Sequence, residues 1–199
     1  MAERGITGSA RGLSVAQRSR RDRMLAVAIE LATEGGYDAV SMREVAERAD
    51  AALATVYRHF PSKDHLLLGV MAGAMDRLHG RMRQSRPRGT TAAERVTEVL
   101  ERSTRSLLRT PSLSAAILRA WVTISGDAGG NAERIASTTR QTLQWAIGAD
   151  HLPTEHDLLV MKILNRVWFG ELLFWANGRE SDEELLNTIR VAVAALYPD

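Results

Sequence analysis

The sequence has no cysteine, which removes disulfides, thiolate metal sites and thiol catalysis together. That suits a reducing compartment, and the chain is read as cytoplasmic. No apolar run approaches the roughly 18 residues of a membrane-spanning helix, so no membrane partner is expected. Arg18–Arg23 precede an apolar run, Met24–Ile29, but that run is six residues long before Glu30. It is too short for a signal peptide and lacks a small-residue cleavage site. Aromatics make up only 5% of the chain, and β-branched residues never gather into alternating runs, so strands have no signal. Also missing are a Gly-rich phosphate loop at a strand–helix junction, a nucleophile elbow and a His-Glu-x-x-His pair. His151 and His156 do not form a convincing metal pair. The chain is therefore not expected to be an enzyme, and no cofactor or metal is called for.

What is present is a chain of 199 residues, 45% hydrophobic and 25% charged, long enough to bury a core without covalent staples. The net charge of +2 says little about partners, but its distribution says more. Residues 1–24 carry six arginines against Glu3 and Asp22. Such a basic arm reads either as a nucleic-acid contact or as a solvated tail.

Helical periodicity runs throughout. Leu25, Ala28, Ile29 and Ala32 place a first helix at about 17–34, stopped by Gly35-Gly36. Ser41 and Glu44 have capping-box spacing for a helix at about 42–48. A short helix fits 52–58, and Ser62 caps another from about 63 to 84. Pro87-Arg88-Gly89 reads as a linker between domains. Beyond it, Thr91 with Glu94, Pro111, Thr154 with Asp157, and Ser181 with Glu184 open further helices. Gly126–Asn131 is read as a loop before a helix at about 132–148. The expected fold is all-α with about nine helices.

The informative segment is 41–63. Two short helices meet at a tight turn around Ala49-Asp50, with Val45, Ala46 and Val56 as the inward residues. This is helix-turn-helix spacing, whose second helix would lie in a major groove. Spacing alone fits a structural helical hairpin equally well.

Residue identities break the tie. Gly35-Gly36-Tyr37, Ser41-Met42-Arg43-Glu44-Val45-Ala46 and Thr55-Val56-Tyr57-Arg58-His59-Phe60-Pro61-Ser62-Lys63 make segment 17–66 resemble the DNA-binding domain of the TetR family. The resemblance implies a flexible basic arm at 1–16, a helix-turn-helix DNA-binding domain at 17–85 with its motif at about 41–60, and a ligand-binding and dimerisation domain at 90–199. It also implies a double-stranded DNA operator, a small-molecule effector and a homodimer. Ser41 at a helix N-terminus suits a phosphate, and Arg43 can reach phosphate or a base edge. Thr55, Tyr57, His59 and Lys63 would contact the backbone, with Arg18 and Arg21 nearby. Leu53, Ala54 and Arg58 would face the bases. Three residues depart from the family pattern: Asp50 for the turn glycine, Ala52 for a Ser or Thr cap, and Ala54 for glycine. With so few polar groups on this helix, contacts to thymine methyls and indirect readout are expected.

All four tryptophans lie beyond residue 120. Thr104, Leu107, Ile117, Trp121, Ile124, Leu143, Asn165, Trp168 and Phe169 are the candidate effector residues, with Thr123 as a further polar group. Any one of them also reads as plain core. The last two helices carry a surplus of apolar residues. Leu158, Leu172, Trp175, Leu185, Ile189 and Val193 are accordingly assigned to a two-fold four-helix interface. A narrower resemblance rests on Ala16-Gln17-Arg18, Arg20-Arg21, Pro61-Ser62-Lys63-x-His65-Leu66-Leu67 and Val167-Trp168. These are similar to the actinobacterial branch that represses cholesterol and steroid catabolism. That branch implies a repressor released by a large apolar effector, a steroid or a sterol-derived acyl-CoA, with Arg119 or Arg166 meeting CoA phosphates. The alternative is an all-helical ligand carrier or interaction module without DNA binding, favoured by Ala52 and the apolar third helix.

Overall fold

A computed structural model describes residues 15–85, 87–124, 130–148 and 153–197. Residues 1–14 of the basic arm, most of the loop expected at 126–131, and His151 lie outside the described residues. Among the described residues there are nine helices and no strand: α1 (Val15–Ala39), α2 (Met42–Arg48), α3 (Leu53–His59), α4 (Lys63–Gln84), α5 (Ala92–Leu108), α6 (Pro111–Thr123), α7 (Asn131–Ile147), α8 (Glu155–Ala176) and α9 (Asp182–Leu196).

The helix starts follow from local chemistry. Ser41, Ser62, Thr91, Thr154 and Ser181 sit in extended conformation, and each side-chain oxygen accepts from the backbone N–H three residues on. This satisfies one orphan donor per helix. Thr91, Thr154 and Ser181 complete the reciprocal half of a capping box. Ser41 does not, because Glu44 turns away to accept from Arg48 Nε at 2.8 Å. Within α1 the helical path breaks at Gly35 and Gly36, the latter at φ 68° and ψ −158°. Only glycine visits that region readily, so the turn of Tyr37–Ala39 is set off at an angle. Asp50 holds φ 49° between α2 and α3, the left-handed position that Asp tolerates better than most residues.

Ala52 occupies the N-cap of α3 at φ −64° and ψ 139° with no side-chain bond to the helix. The backbone is already in cap geometry, so Ala52→Ser needs no rearrangement. It should add about 1 kcal/mol and raise the melting temperature by about 2–4 °C, measured by circular dichroism. A lower melting temperature would contradict the cap geometry.

Two cores hold the helices, with a small third cluster between them. The first gathers Met24, Ala28 and Leu31 of α1, Val45 and Ala46 of α2, Val56 of α3, Phe60, and Leu66, Leu67 and Val70 of α4. It also takes Ala116, Ile117 and Ala120 from α6. Gly69 lets α4 lie close, since a Cβ there would come within 3.0 Å of the Phe60 ring and 3.1 Å of Leu25. The second core joins Met82 of α4 with Val96, Val99 and Leu100 of α5, Leu143 of α7, Leu164, Trp168 and Leu172 of α8, and Leu185, Ile189 and Val193 of α9. The third cluster joins Leu68 and Ala72 of α4 to Ile135 of α7, with Trp121 and Ile124 beside them. Both α4 and α6 therefore contribute to the core under the DNA-reading helices and to the core of the C-terminal half.

This packing corrects the interface residues read from the sequence. Leu172, Leu185, Ile189 and Val193 are buried inside the single chain, because α5 lays Val96, Val99 and Leu100 against the apolar stripe that was assigned to a second copy. Trp175 is half-buried and donates its indole N–H to Asp182 at 2.8 Å. Of the six, only Leu158 is well exposed.

Candidate nucleic-acid interface and effector region

Seven large hydrophobics are exposed among the described residues: Leu53 and Tyr57 on α3, Val122 on α6, and Leu158, Leu159, Phe174 and Val191 on α8 and α9. An exposed apolar group needs a reason when it gathers on one face. On α3 the face is made by Leu53, Ala54, Tyr57 and Arg58, all exposed, while Val56 points the other way into the first core with no exposure. Val45 of α2 and Val56 of α3 belong to the same core. The short helix is thus held by its inner face and offers its outer one.

Around that face lie the groups expected to meet phosphate. Ser41 and Arg43 are exposed at the start of α2, and Arg18 is exposed on α1. Thr55 is half-buried at the edge of α3. His59 is half-buried, and its pKa is held below the ordinary imidazole value by burial and then by Arg58, Arg21 and Arg20. Besides burial, three neighbouring guanidiniums disfavour a further positive charge at His59, so the ring stands in a positive potential that favours an anion nearby. Arg21 is not a free surface cation. It is half-buried with its guanidinium 5.0 Å from the Phe60 ring centroid.

Lys63 differs most from expectation. It is half-buried, its Nζ donating to the Tyr37 carbonyl at 3.1 Å and lying 3.8 Å from the centroid of the same ring. Arg119, reaching down from α6, covers that ring at 4.1 Å and pairs with Asp38 at 3.2 Å. The Tyr37 hydroxyl donates to Asp64 at 2.6 Å, and burial together with that carboxylate pushes its pKa up to about 12. Tyr37 is therefore clamped between a lysine of the DNA-reading half and an arginine of the C-terminal half. Nothing in the sequence signalled this clamp, because Lys63 lies 26 residues from Tyr37 and Arg119 lies 81 from Asp38.

The effector residues do not converge on one pocket. Ile117 belongs to the first core, Trp121 and Ile124 border the third cluster, and Leu143 and Trp168 lie in the second. Trp121 stacks at a tilt on Phe169, with centroids 5.9 Å apart. Leu107 is half-buried against the second core. Asn165 and Thr123 are exposed, the first because it falls on the outer face of α8. Thr104 is fully buried, with its proton used and one acceptor lone pair left. Its hydroxyl donates to the Leu100 carbonyl at 2.8 Å and accepts from Trp168 Nε1 at 2.9 Å. Arg119 is committed to Tyr37 and Asp38, and Arg166 is exposed on α8. What the C-terminal half does contain is a small gap of about 20 Å³ lined by Met75, Leu78, Val99, Leu100, Ser103, Thr139, Thr142, Leu143 and Trp168. That is room for about one water molecule. The hydroxyls on its wall are already bonded: Ser103 to Val99 at 2.7 Å, Thr139 to Ile135 at 2.9 Å, and Thr142 to Thr138 at 2.8 Å.

No helix among the described residues is long and apolar enough to cross a membrane, and no group of three metal-ligating side chains occurs among them.

Residues 24–70 match the model of the bacterial regulatory proteins of the tetR family, and residues 89–196 match the tetracyclin repressor-like C-terminal domain. The HTH-type transcriptional repressor KstR of Rhodococcus jostii is 36% identical over 186 residues, which cover 94% of this chain and 86% of that protein. The crystal structure of a TetR transcriptional regulator from Rhodococcus sp. RHA1 superposes with a TM-score of 0.84 at 39% identity, covering 92% of this chain and 98% of that one. The fold, at a TM-score of 0.65 and 19% identity over 90% of this chain and 96% of the other, is also that of Thermus thermophilus FadR crystallised with lauroyl-CoA. The relatives are transcriptional regulators, and KstR is a transcriptional repressor in each of the three organisms in which it is matched. This chain belongs to the TetR family of transcriptional regulators.

Proposed function

We propose that the chain acts as a homodimeric repressor in the cytoplasm, holding operator DNA through α2 and α3 and releasing it when a large apolar effector enters the C-terminal bundle. The observation that carries the DNA reading is the outward face of α3. Leu53, Ala54, Tyr57 and Arg58 project from a helix whose inner side is locked into the core, next to Ser41 and Arg43. Leu53 and Ala54 suit thymine methyls, and Arg58 suits a guanine edge or a phosphate. Exposure of Leu158, Leu159, Phe174 and Val191 on α8 and α9 supports a two-fold contact on that side. A dimer would then present two recognition helices to half-sites about 34–36 Å apart.

The effector reading rests on the second core. Four helices, α4, α5, α7 and α8, converge on a small, mostly apolar gap whose wall hydroxyls have their protons committed to backbone carbonyls. A ligand of steroid or long-acyl size fits only by spreading them. Since α4 and α6 are shared between the cores, a shift there is passed to the DNA-reading half. It can travel along α4 or through Arg119 on the Tyr37 clamp. That KstR is a repressor, and that a regulator of this fold holds lauroyl-CoA, support the same direction of control. By reciprocity, operator DNA must weaken effector binding by the factor by which effector weakens DNA binding.

A gel shift with the protein's own upstream region separates a repressor from a carrier module. Within that assay Tyr57→Ala should weaken binding by about tenfold on cognate and unrelated DNA alike, because a phosphate contact carries little sequence information. Tyr57 is half exposed, so the fold should survive. Retained affinity with altered sequence preference would refute the backbone role.

A further inference from the structure

Residues 68–72 of α4 form the turn at which α1 and α7 come together. Arg21 of α1 lies against it, its Nη2 3.5 Å from where a Gly69 Cβ would stand and its guanidinium over the Phe60 ring. The same turn packs Leu68 and Ala72 on Ile135 of α7. Next to Ile135 is Arg134, which forms an ion pair with Asp76, one turn further along α4. Asp76 also accepts from the Thr138 hydroxyl at 3.0 Å. Two residues of α7 thus fix the carboxylate, and the carboxylate holds the Arg134 guanidinium on α4. From there Arg134 acts on Arg21. Besides burial, the largest cause, the Arg134 charge lowers the Arg21 pKa below the ordinary guanidinium value, with Asp22 opposing it. Arg21, with Arg58 and Arg20, acts in turn on His59 at the end of α3.

An ion pair that only fastened α7 to α4 would serve as well with its charges exchanged. Exchange would even relieve Arg21, by setting a carboxylate beside it. The order found does the reverse and brings a further cation to a corner already crowded with them. Like charges set together are unfavourable in the chain alone and become favourable beside a polyanion.

We propose that Arg134 is a positioning residue for DNA, supplied by the C-terminal half. Held by Asp76 beside Arg21, it raises the positive potential at the corner of Arg20, Arg21, Arg58 and His59, and so makes DNA affinity depend on how closely α7 sits on α4. This rests on the DNA-binding reading above and on no particular effector. It adds a third route of control beside α4 and the Arg119 contact, since a shift of α7 away from α4 withdraws a charge from the DNA side.

The test uses the full chain with two duplexes, the protein's own upstream region and an unrelated sequence of equal length. Binding is measured by fluorescence anisotropy at about 50 and 200 mM salt. The variants are Arg134→Gln, Arg134→Lys and the exchange Asp76→Arg/Arg134→Asp, with melting temperature as the folding control. Arg134→Gln should weaken binding to both duplexes about threefold at the lower salt and less at the higher, because the Arg134 side chain is half exposed and its field is screened. Arg134→Lys should keep most of the affinity. The exchange restores the pair yet should bind more weakly than Arg134→Gln. Wild-type affinity in the folded exchange or in Arg134→Gln would overturn the proposal and leave the pair as a fastener. A loss equal at both salts and matched by a lower melting temperature would overturn it as well. Wild type that binds neither duplex would overturn the DNA reading itself.

Discussion

Val191→Asp should turn the protein into a monomer at micromolar concentration and cut operator affinity by more than a hundredfold. Val191 is 60% exposed at the middle of α9, on the side away from the second core. Its neighbours there, Asn187, Ala194 and Ala195, are exposed as well. They are small or polar, so backbones can approach closely. Within one chain the substitution touches no buried contact, and an exposed exchange of this kind changes stability by about 0.5 kcal/mol or less. In a two-fold interface the aspartate would be buried opposite its own copy or near it, unpaired, which costs several kcal/mol twice over. A monomer then reads one half-site, losing the gain of about 10²–10⁴ that linking two binding modules brings. Sedimentation velocity measures the first effect and a gel shift the second. A variant that stays dimeric would place the interface elsewhere. Leu185→Asp is not a substitute test, because Leu185 is buried within the chain and its loss of dimerisation would report unfolding.

That distinction marks where the sequence was legible and where it was not. Caps are written in three or four consecutive residues, so Ser62, Thr91, Thr154 and Ser181 place the helix starts directly. The inner side of α3 was equally readable, because Val56 and Phe60 are apolar residues at helical spacing, which leaves Leu53, Ala54, Tyr57 and Arg58 on the outer one. Partners of a helix face are another matter. The apolar stripe on α8 and α9 was visible, but the residues that cover it, Val96, Val99 and Leu100, lie some 60 to 95 positions earlier on α5. Period alone does not say which neighbour fills a stripe. Ile117 was assigned to the effector region because its helix lies in the C-terminal half, yet α6 sends that residue into the first core.

Trp168→Ala should destabilise the chain by more than Tyr57→Ala, which removes an exposed ring. Trp168 is 7% exposed in the middle of the second core, where it fills the space between α5, α7 and α8 and forms one wall of the gap. Truncating a buried tryptophan costs about 3–5 kcal/mol through lost burial and the cavity left behind. In a chain of this length that lowers the melting temperature by roughly 10 °C. Trp168→Phe keeps most of the volume and removes only the indole N–H that bonds Thr104 at 2.9 Å. Thr104 still donates to the Leu100 carbonyl, so its hydroxyl keeps one partner and the cost should be near 1 kcal/mol. Thermal and urea unfolding of both variants check the pair, and equal losses would mean that the hydrogen bond rather than the packing holds the site. The two variants also separate stability from effector response. Trp168 lies against the gap, whereas Trp121 stacks on Phe169 outside its wall. Trp168→Phe should therefore remove most of the fluorescence change that an acyl-CoA titration produces while leaving binding measurable by calorimetry. A full fluorescence response in that variant would mean that the tail enters beside Trp121 rather than Trp168, between α4, α6 and α7.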